Sequence, residues 1–206
     1  METAHRIGAQ EKLRGSLLPR EFFERDPENV ARELLGQRLA RKLGEDVMEG
    51  VIVETEAYYG LDDPASRVYH GIKDYNRLML GEPGRVFVYN VHNNWMLNIV
   101  AHEPGRIGAV LIRAVEPTSG IEAMRRNRPV TNVLELTNGP GKLSKALKVR
   151  KALNGIAVFS QESEVTISSQ EGEAGFKIGS SHRIGVRRDL ERKLRFFIEG
   201  NRFISR

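Results

Sequence analysis

The sequence contains no cysteine, which excludes disulfide bonds, thiolate nucleophiles, zinc fingers and iron–sulfur clusters. Its five histidines are scattered and form no metal-binding pair one helical turn apart, so we predict no metal ion. A Gly-x-Ser-x-Gly motif is also missing, which argues against a serine hydrolase. Any chemistry must therefore use carboxylates, histidines, lysines or hydroxyl groups.

Long apolar runs are missing as well. No stretch approaches the roughly 18–20 residues that span a bilayer, and we predict no membrane contact. The first residues, Met1 to Arg6, lack the apolar region of a secretory signal, which favours a cytoplasmic protein. With 206 residues, 40% of them hydrophobic, the chain fits one folded domain.

Positive charge is concentrated in one segment. Residues 181–206 contain eight basic and three acidic side chains, a surplus of five that equals the net charge of the whole chain. A basic surface confined to one segment is typical of a protein that binds a polyanion. A solvated basic surface without a partner is the alternative.

The most informative stretch is residues 51–60. It begins as a β-branched apolar run, which predicts a strand, and then contains two glutamates. Because side chains of a strand alternate between faces, we predict that Ile52, Glu54, Glu56 and Tyr58 share one face. Two interpretations are open: an edge strand whose glutamates face water, or an acid/base site with an aromatic surface beside it.

Periodicity and turn residues predict the other elements. Asp26 is expected to cap a helix that has Pro27 at its first position and ends at Gly36. Further helices are predicted at 117–128 and 143–153. Further strands are predicted at 37–43, 85–91, 97–101, 108–115, 155–159, 165–168 and 194–198. Residues 1–17 are predicted to be a flexible tail and 18–206 a single domain.

Three other features bear on function. The connection at 60–84 is long, basic and aromatic, and loops of that length are functional or disordered. Arg113 lies inside an apolar run and, if buried, needs a carboxylate such as Glu54 or Glu56, in a catalytic or a purely structural pair. The turn at 138–142 suits either a phosphate oxygen or a plain helix start. Together they favour an enzyme that holds a nucleic-acid backbone and stacks a base on an aromatic ring.

Several ordered motifs carry a family resemblance. They are Val53-Glu54-Thr55-Glu56-Ala57-Tyr58, Asp63-Pro64-Ala65-Ser66, Pro83-Gly84, Val88-Tyr89, Leu97-Asn98-Ile99-Val100, Leu111-Ile112-Arg113-Ala114-Val115-Glu116-Pro117, Asn138-Gly139-Pro140-Gly141-Lys142-Leu143, Arg183-Ile184-Gly185-Val186 and Lys193-Leu194-Arg195-Phe196-Phe197. From about Leu18 to Ser205 the chain resembles the alkyladenine DNA glycosylase family, also called 3-methyladenine or methylpurine-DNA glycosylases.

The resemblance implies a fold and an activity. The expected fold is α+β (mixed α/β), a single domain with a curved, mostly antiparallel β-sheet and surrounding helices. The expected enzyme is a monofunctional DNA N-glycosylase that flips alkylated or deaminated purines out of double-stranded DNA and hydrolyses the N-glycosidic bond. Substrates of the 3-methyladenine, ethenoadenine, 7-methylguanine and hypoxanthine type are implied. No cofactor is expected, and a monomer in the cytoplasm, beside the nucleoid in a prokaryote, is the expected form.

Site residues follow from the same resemblance. Glu56 would be the general base that activates water, kept ionised by Arg113. The base pocket would contain Tyr58, Arg67, His70, Tyr89 and Asn98, where Asn98 disfavours the guanine 2-amino group. The wedge that fills the gap left by the flipped base would be His92, with Trp95 as second choice. Contacts to the DNA backbone would come from Gly139, Gly141, Lys142, Arg183 and Arg187. Glu54 is expected to be structural.

The chain departs from the family pattern at the pocket and the wedge. Family members have Ser-His-x-Tyr-Arg-Gly where this chain has residues 66–71, so that Arg67 replaces a histidine and His70 an arginine. The family's wedge tyrosine and glycine are replaced by His92 and Asn93. These changes leave a second hypothesis open, a DNA-binding protein with weak or no excision activity. A basic RNA-binding module is a third, which leaves Glu56 unexplained.

Overall fold

An eight-stranded β-sheet runs through residues 15–170 and 175–205, the part of the chain that the computed structural model describes. Its strands are β1 (Arg38–Leu43), β2 (Asp46–Tyr59), β3 (Val86–Val91), β4 (Asn94–Val100), β5 (Gly108–Ser119), β6 (Val165–Ser168), β7 (Ile178–Ser181) and β8 (Arg195–Ile198). The helices are α1 (Arg20–Phe23), α2 (Pro27–Glu33), α3 (Ile121–Asn127) and α4 (Pro140–Ala146), with 3₁₀ turns at Arg77–Leu80, Val133–Glu135 and Lys151–Leu153. This confirms the predicted α+β class.

The long strand β2 organises the sheet. The strand order is β3-β4-β5-β2-β1-β6, and the pairings are antiparallel. On one side β2 pairs with β5 along most of its length. On the other side its first half pairs with β1 and its second half, at residues 54–56, with β8, which also pairs with β7. The glutamates of β2 therefore lie in the interior of the sheet, and the interpretation as an edge strand is wrong.

Helix α2 illustrates how the sequence determines the local structure. Asp26 accepts a hydrogen bond from the Glu28 amide at 2.8 Å, and Pro27 occupies the first helical turn, as predicted. The helix buries Val30 and Ala31 against β2 and β5. Burial of a side chain such as valine contributes about 1.5–3 kcal/mol. With α4, which packs on β4 and β5, α2 covers the main hydrophobic core on one face of the sheet.

Some predicted boundaries are wrong. The helix expected from Pro117 begins at Ile121, because β5 continues through Pro117, which pairs with Gly50. The helix expected at 143–153 ends at Ala146, since Lys148 adopts a φ of +50° that no α-helix can continue. Residues 155–159 make isolated backbone hydrogen bonds to the region around Val86 instead of a regular strand.

A β-bulge in β2 changes which side chains share a face. Ile52 and Glu54 pair with successive residues of β5, so Val53 has no partner in the ladder. Ile52 packs into the main core, whereas Val53 packs on the opposite side. The predicted alternation placed Ile52 with Glu54, Glu56 and Tyr58. It is wrong for Ile52, because the extra residue reverses the alternation.

Two residues of the predicted tail make backbone contacts with the β6 region. Ser16 accepts a hydrogen bond from the Ser169 amide at 2.8 Å, and Leu17 forms a β-bridge with Ser168. Ser16 and Leu17, which we assigned to the tail, are therefore attached to the sheet. The rest of the predicted tail, residues 1–14, lies outside the described residues, and the division into tail and domain stays a prediction. None of the helices described has the length and apolar character that crossing a membrane requires.

Glu54 joins three parts of the fold. Its carboxylate is inaccessible to solvent and accepts hydrogen bonds from Arg113 on β5 (2.7 Å), Arg195 on β8 (2.7 Å) and the amide and hydroxyl of Ser205. Burial opposes its ionisation, but Arg113, Ser205 and Arg195 outweigh burial and hold the pKa of Glu54 below its ordinary value. This network is consistent with the structural role expected for Glu54.

We predict that Glu54→Gln lowers the free energy of unfolding by about 3 kcal/mol at neutral pH, because it leaves the buried Arg195 without its carboxylate partner and Arg113 with Glu56 alone. Urea denaturation followed by circular dichroism measures the change. The matched control is Glu122→Gln, which removes an exposed carboxylate paired with Arg125 and is expected to change stability by less than about 1 kcal/mol.

The lowered pKa of Glu54 also predicts how the stability difference between wild type and Glu54→Gln changes with pH. Since the pKa of Glu54 is depressed on folding, its contribution is complete above the ordinary carboxyl pKa of 4.5 and is lost as the pH falls through the lower, folded-state pKa. The stability difference between wild type and Glu54→Gln is therefore expected to shrink in acid. A difference that stayed constant or grew below pH 4.5 would contradict this assignment.

Candidate active site

Glu56 is the centre of the candidate site. It lies two residues after Glu54 on β2 and is also inaccessible to solvent. Its Oε1 accepts the amide of Ile184 at 2.7 Å and forms an ion pair with Arg113 Nη1 at 3.0 Å. Its Oε2 accepts the hydroxyl of Tyr58 at 2.7 Å. A carboxylate oxygen has two lone pairs, and Tyr58 is the one donor to Oε2 among the described residues.

The two buried glutamates share Arg113 but differ in proton affinity. Burial raises the pKa of Glu56, and the opposing effects of Arg113, the Ile184 amide and the Tyr58 hydroxyl do not fully cancel it. Glu54 has an additional arginine and the two donors of Ser205, which hold its pKa low. Glu56 is thus the carboxylate with the greater tendency to accept a proton, as a general base requires.

A small aromatic pocket adjoins Glu56 through Tyr58. It is lined by Tyr58, Arg67, Met79, Phe87, Tyr89, Asn98 and Ala109. Four of the five residues predicted for the base pocket thus lie together. Both N–H groups of Asn98 are used, because Nδ2 donates to the carbonyls of Phe87 and Met96 at 3.1 Å each. Its side-chain carbonyl oxygen is therefore the group left to contact a ligand.

His70, the fifth residue, does not line this pocket. Its side chain is exposed and packs edge-on against Tyr69, with ring centroids 4.9 Å apart. The chain folds here as successive turns, in which the Tyr69 amide donates to Ser66 and the Gly71 amide to Val68. These turns bury Val68 under the loop and leave His70 outside, so the prediction for His70 is wrong.

The β3–β4 hairpin carries the two wedge candidates in different environments. His92 and Asn93 form its two-residue turn, with positive φ values of 47° and 61°, and both are exposed. Trp95 is half-buried and packs against the main core on the opposite face from Tyr89. The exposed turn thus makes His92 the better placed of the two, and the choice of wedge residue, His92 or Trp95, stays a prediction.

Arg183 is buried and paired. It makes a bidentate ion pair with Asp63 at 2.7 Å, contacts Asp189 at 2.6 Å, and lies over the ring of Tyr58 with Cζ 4.5 Å from the centroid. The Asp63 and Asp189 carboxylates raise the pKa of Arg183 although burial opposes them. The prediction that Arg183 contacts the DNA backbone is therefore wrong. Arg183 instead lies against Tyr58 and directly precedes Ile184, whose amide donates to Glu56.

A basic cleft of about 970 Å³ opens beside Arg113. Its lining includes the predicted backbone contacts Gly139, Gly141 and Lys142, together with Arg128, Lys145 and Arg202. Lys142 Nζ donates to Asn138 at 2.8 Å and is half-buried. Arg187 is exposed in the C-terminal segment. Among the residues described, no group of His, Asp and Glu side chains is arranged to hold a metal ion.

A sequence profile of the methylpurine-DNA glycosylase family matches residues 21–202, nearly the whole chain. The chain belongs to the methylpurine-DNA glycosylase family. This confirms the resemblance and the expected enzyme class, a DNA N-glycosylase. The roles of individual residues in this glycosylase stay predictions.

Similar proteins occur in distant organisms. One from Aeropyrum pernix is 42% identical over 193 residues, which cover 93% of this chain and 94% of the relative. One from Koribacter versatilis is 38% identical over 192 residues, with coverage of 91% and 92%. A third, from Rhodopseudomonas palustris, is 40% identical over 192 residues, with coverage of 93% and 91%. All three are provisionally named 3-methyladenine DNA glycosylases.

Sequence reasoning missed several residues of the glycosylase site. Arg195 carried a usable signal, because it lies between Leu194 and Phe196, the same apolar setting that singled out Arg113. Asp63 and Ser205 carried no such signal in the sequence. Their partners, Arg183 and Glu54, are 120 and 151 residues away in the chain. Ile184 contributes its backbone amide, which no side-chain pattern indicates.

We predict that the two glutamates titrate on opposite sides of the ordinary value of 4.5, Glu56 above it and Glu54 below it. NMR titration of the protein with ¹³C-labelled glutamate carboxyls measures both midpoints. The carboxyl signal that is missing from the spectrum of Glu56→Gln belongs to Glu56. A midpoint for Glu56 at or below that of Glu54 would contradict the assignment.

Proposed function

We propose that this glycosylase excises damaged purines of the 3-methyladenine, 7-methylguanine, 1,N6-ethenoadenine and hypoxanthine type from duplex DNA. The observation that carries the proposal is the direct link between a buried carboxylate and an aromatic pocket: Tyr58 lines the pocket and donates its hydroxyl to Glu56 at 2.7 Å. A flipped base that stacks on Tyr58 would place its sugar near Glu56.

The proposed mechanism uses Glu56 as a general base. Water bound at the free position of Oε2 attacks the anomeric carbon and transfers a proton to Glu56, while the glycosidic bond breaks and the purine leaves with the bonding electrons. Arg113 has two effects here. It favours the ionised form of Glu56, and it fixes the carboxylate orientation from the side opposite Tyr58.

DNA is proposed to lie across the hairpin turn and the basic cleft. Asn94, which follows the His92–Asn93 turn, lines the cleft and contacts Gly141. The turn and the cleft are therefore adjacent. His92 would fill the gap left by the flipped nucleotide, while Lys142 and its basic neighbours contact phosphates. Arg187 is a further phosphate contact in this proposal, and Arg183 is not.

A DNA-binding protein with little excision activity is the second candidate. It is favoured by the aromatic pocket, which in the free protein is too small for a purine. The same pocket must open for excision but not for binding to undamaged DNA. The excision assay therefore decides between the two candidates.

We predict that Glu56→Gln lowers single-turnover excision by about 10²–10⁴-fold while binding to the same duplex is retained, because the amide cannot accept the proton of water. Duplexes containing each of the four damaged bases are incubated with protein, and abasic sites are cleaved by alkali and counted. Glu122→Gln, an exposed carboxylate of α3, is the control. Excision by Glu56→Gln at the wild-type rate would refute the role of Glu56. Failure of the wild-type protein on all four duplexes would favour the binding protein.

We predict that Lys142→Gln and Arg187→Gln each reduce by about one the slope of log affinity against log salt concentration, because each removes one phosphate contact. Fluorescence anisotropy with an undamaged duplex at several salt concentrations measures the slope. The control Arg25→Gln removes an arginine that pairs with Glu33 on the helical side of the sheet and is expected to leave the slope unchanged. Equal slopes for the wild type, the two test variants and the control would contradict the proposed placement of the DNA.

A further inference from the structure

Arg67 occupies the pocket proposed for the flipped base. Its guanidinium lies over the ring of Tyr89, with Cζ 4.3 Å from the ring centroid. The space that remains in the pocket is about 10 Å³, which is room for about one water molecule and not for a purine. A purine cannot enter unless a side chain of the lining moves.

Arg67 is the lining residue best placed to move. Tyr58, Met79, Phe87, Asn98 and Ala109 are buried, whereas Arg67 is exposed and extends over the pocket from the loop. Its backbone is held in place, because the buried side chain of Asn76 donates to its carbonyl at 2.7 Å. Its side chain makes no ion pair with a carboxylate of the described residues, unlike Arg77 of the same loop, which pairs with Asp74. Arg67 thus combines a backbone that is held in place with an exposed, positively charged side chain that can move.

We propose that Arg67 determines which damaged purines this enzyme accepts. It disfavours flipped bases that carry a positive charge and favours neutral bases with hydrogen-bond acceptors on the N7 edge. This inference rests on the proposed function, because it takes the aromatic pocket as the site of the flipped base.

The charge of Arg67 accounts for the first preference. The face of a tyrosine ring attracts cations, and a pocket of tyrosines alone would favour positively charged alkylpurines. Here the guanidinium, which stays protonated, already occupies the face of Tyr89. A cationic base such as 7-methylguanine must displace it from that face and remain beside a like charge. A neutral base meets no such repulsion.

The hydrogen bonds of Arg67 account for the second preference. An arginine side chain only donates, and it pairs in a bidentate manner with adjacent acceptors such as O6 and N7 of a purine. Hypoxanthine has both acceptors. In 7-methylguanine the methyl group has taken the N7 lone pair, so that only O6 remains. Hypoxanthine therefore gains from Arg67 both by charge and by hydrogen bonding.

The test compares single-turnover excision of hypoxanthine and of 7-methylguanine from otherwise identical duplexes. The change in their ratio between variants is the readout, because the cationic base leaves more easily with any enzyme. Arg67→Gln is expected to raise the rate for 7-methylguanine relative to hypoxanthine by about tenfold or more, which corresponds to one bidentate contact. Arg67→Lys keeps the charge but not the planar pair of donors, so the rate for 7-methylguanine is expected to stay low while the rate for hypoxanthine falls, which places the ratio between those of wild type and Arg67→Gln.

Controls separate this inference from the proposed function. Arg77→Gln changes an arginine of the same loop that is paired with Asp74 and is expected to leave the ratio unchanged. An unchanged ratio in Arg67→Gln, with wild-type excision of both bases, would overturn the role of Arg67 alone. Failure of the wild-type protein on these two duplexes and also on those with 3-methyladenine and ethenoadenine would overturn the proposed function itself. Binding of the two duplexes by Glu56→Gln with and without Arg67→Gln gives the same comparison without catalysis, and an equal affinity ratio there would also contradict the inference.

Discussion

The ion pairs of Arg113 with two buried glutamates are the interaction on which the rest of this structure depends. Arg113 contacts Glu54 at 2.7 Å and Glu56 at 3.0 Å, and none of the three side chains is more than 5% exposed. Two negative charges this close need the arginine between them. Because the remaining donors are divided unequally, Glu54 becomes a fixed charge that holds strands together, and Glu56 keeps an available lone pair and a higher proton affinity. The stability of the fold and the proposed catalysis thus depend on the same guanidinium group.

The sequence was sufficient to predict the partners of this cluster but not its geometry. An arginine in an apolar strand needs a carboxylate, and only β2 offered two in a similar setting, so the pairing of Arg113 with Glu54 or Glu56 followed from physical chemistry. The bulge at Val53 could not be predicted, because an inserted residue in a ladder depends on the register of β5. Arg183 was misassigned for a related reason: its charge is visible in the sequence, but the two aspartates that bury it are not.

The loop at residues 60–76 shows how a family site can be altered without loss of its framework. Asn76 and the turns around Ser66 hold the backbone, and the buried side chains of Met79 and Phe87 line the pocket. On this fixed support the side chain at position 67 can change the electrostatic character of the pocket. His70, which a comparison of motifs drew into the pocket, lies outside it, because spacing along an irregular loop does not determine direction. Substrate choice is therefore expected to vary among relatives more readily than the fold.

Two of the groups that donate hydrogen bonds to the buried glutamates lie near the C-terminal end of the sequence. Ile184 and Ser205 follow Glu56 and Glu54 by 128 and 151 residues. During synthesis, β2 emerges long before these donors exist, and its carboxylates cannot be buried at low cost until they arrive. Closing such distant contacts slows folding. A chain truncated before Ile184 would therefore lack these donors to both glutamates and could not bury the two carboxylates at low cost.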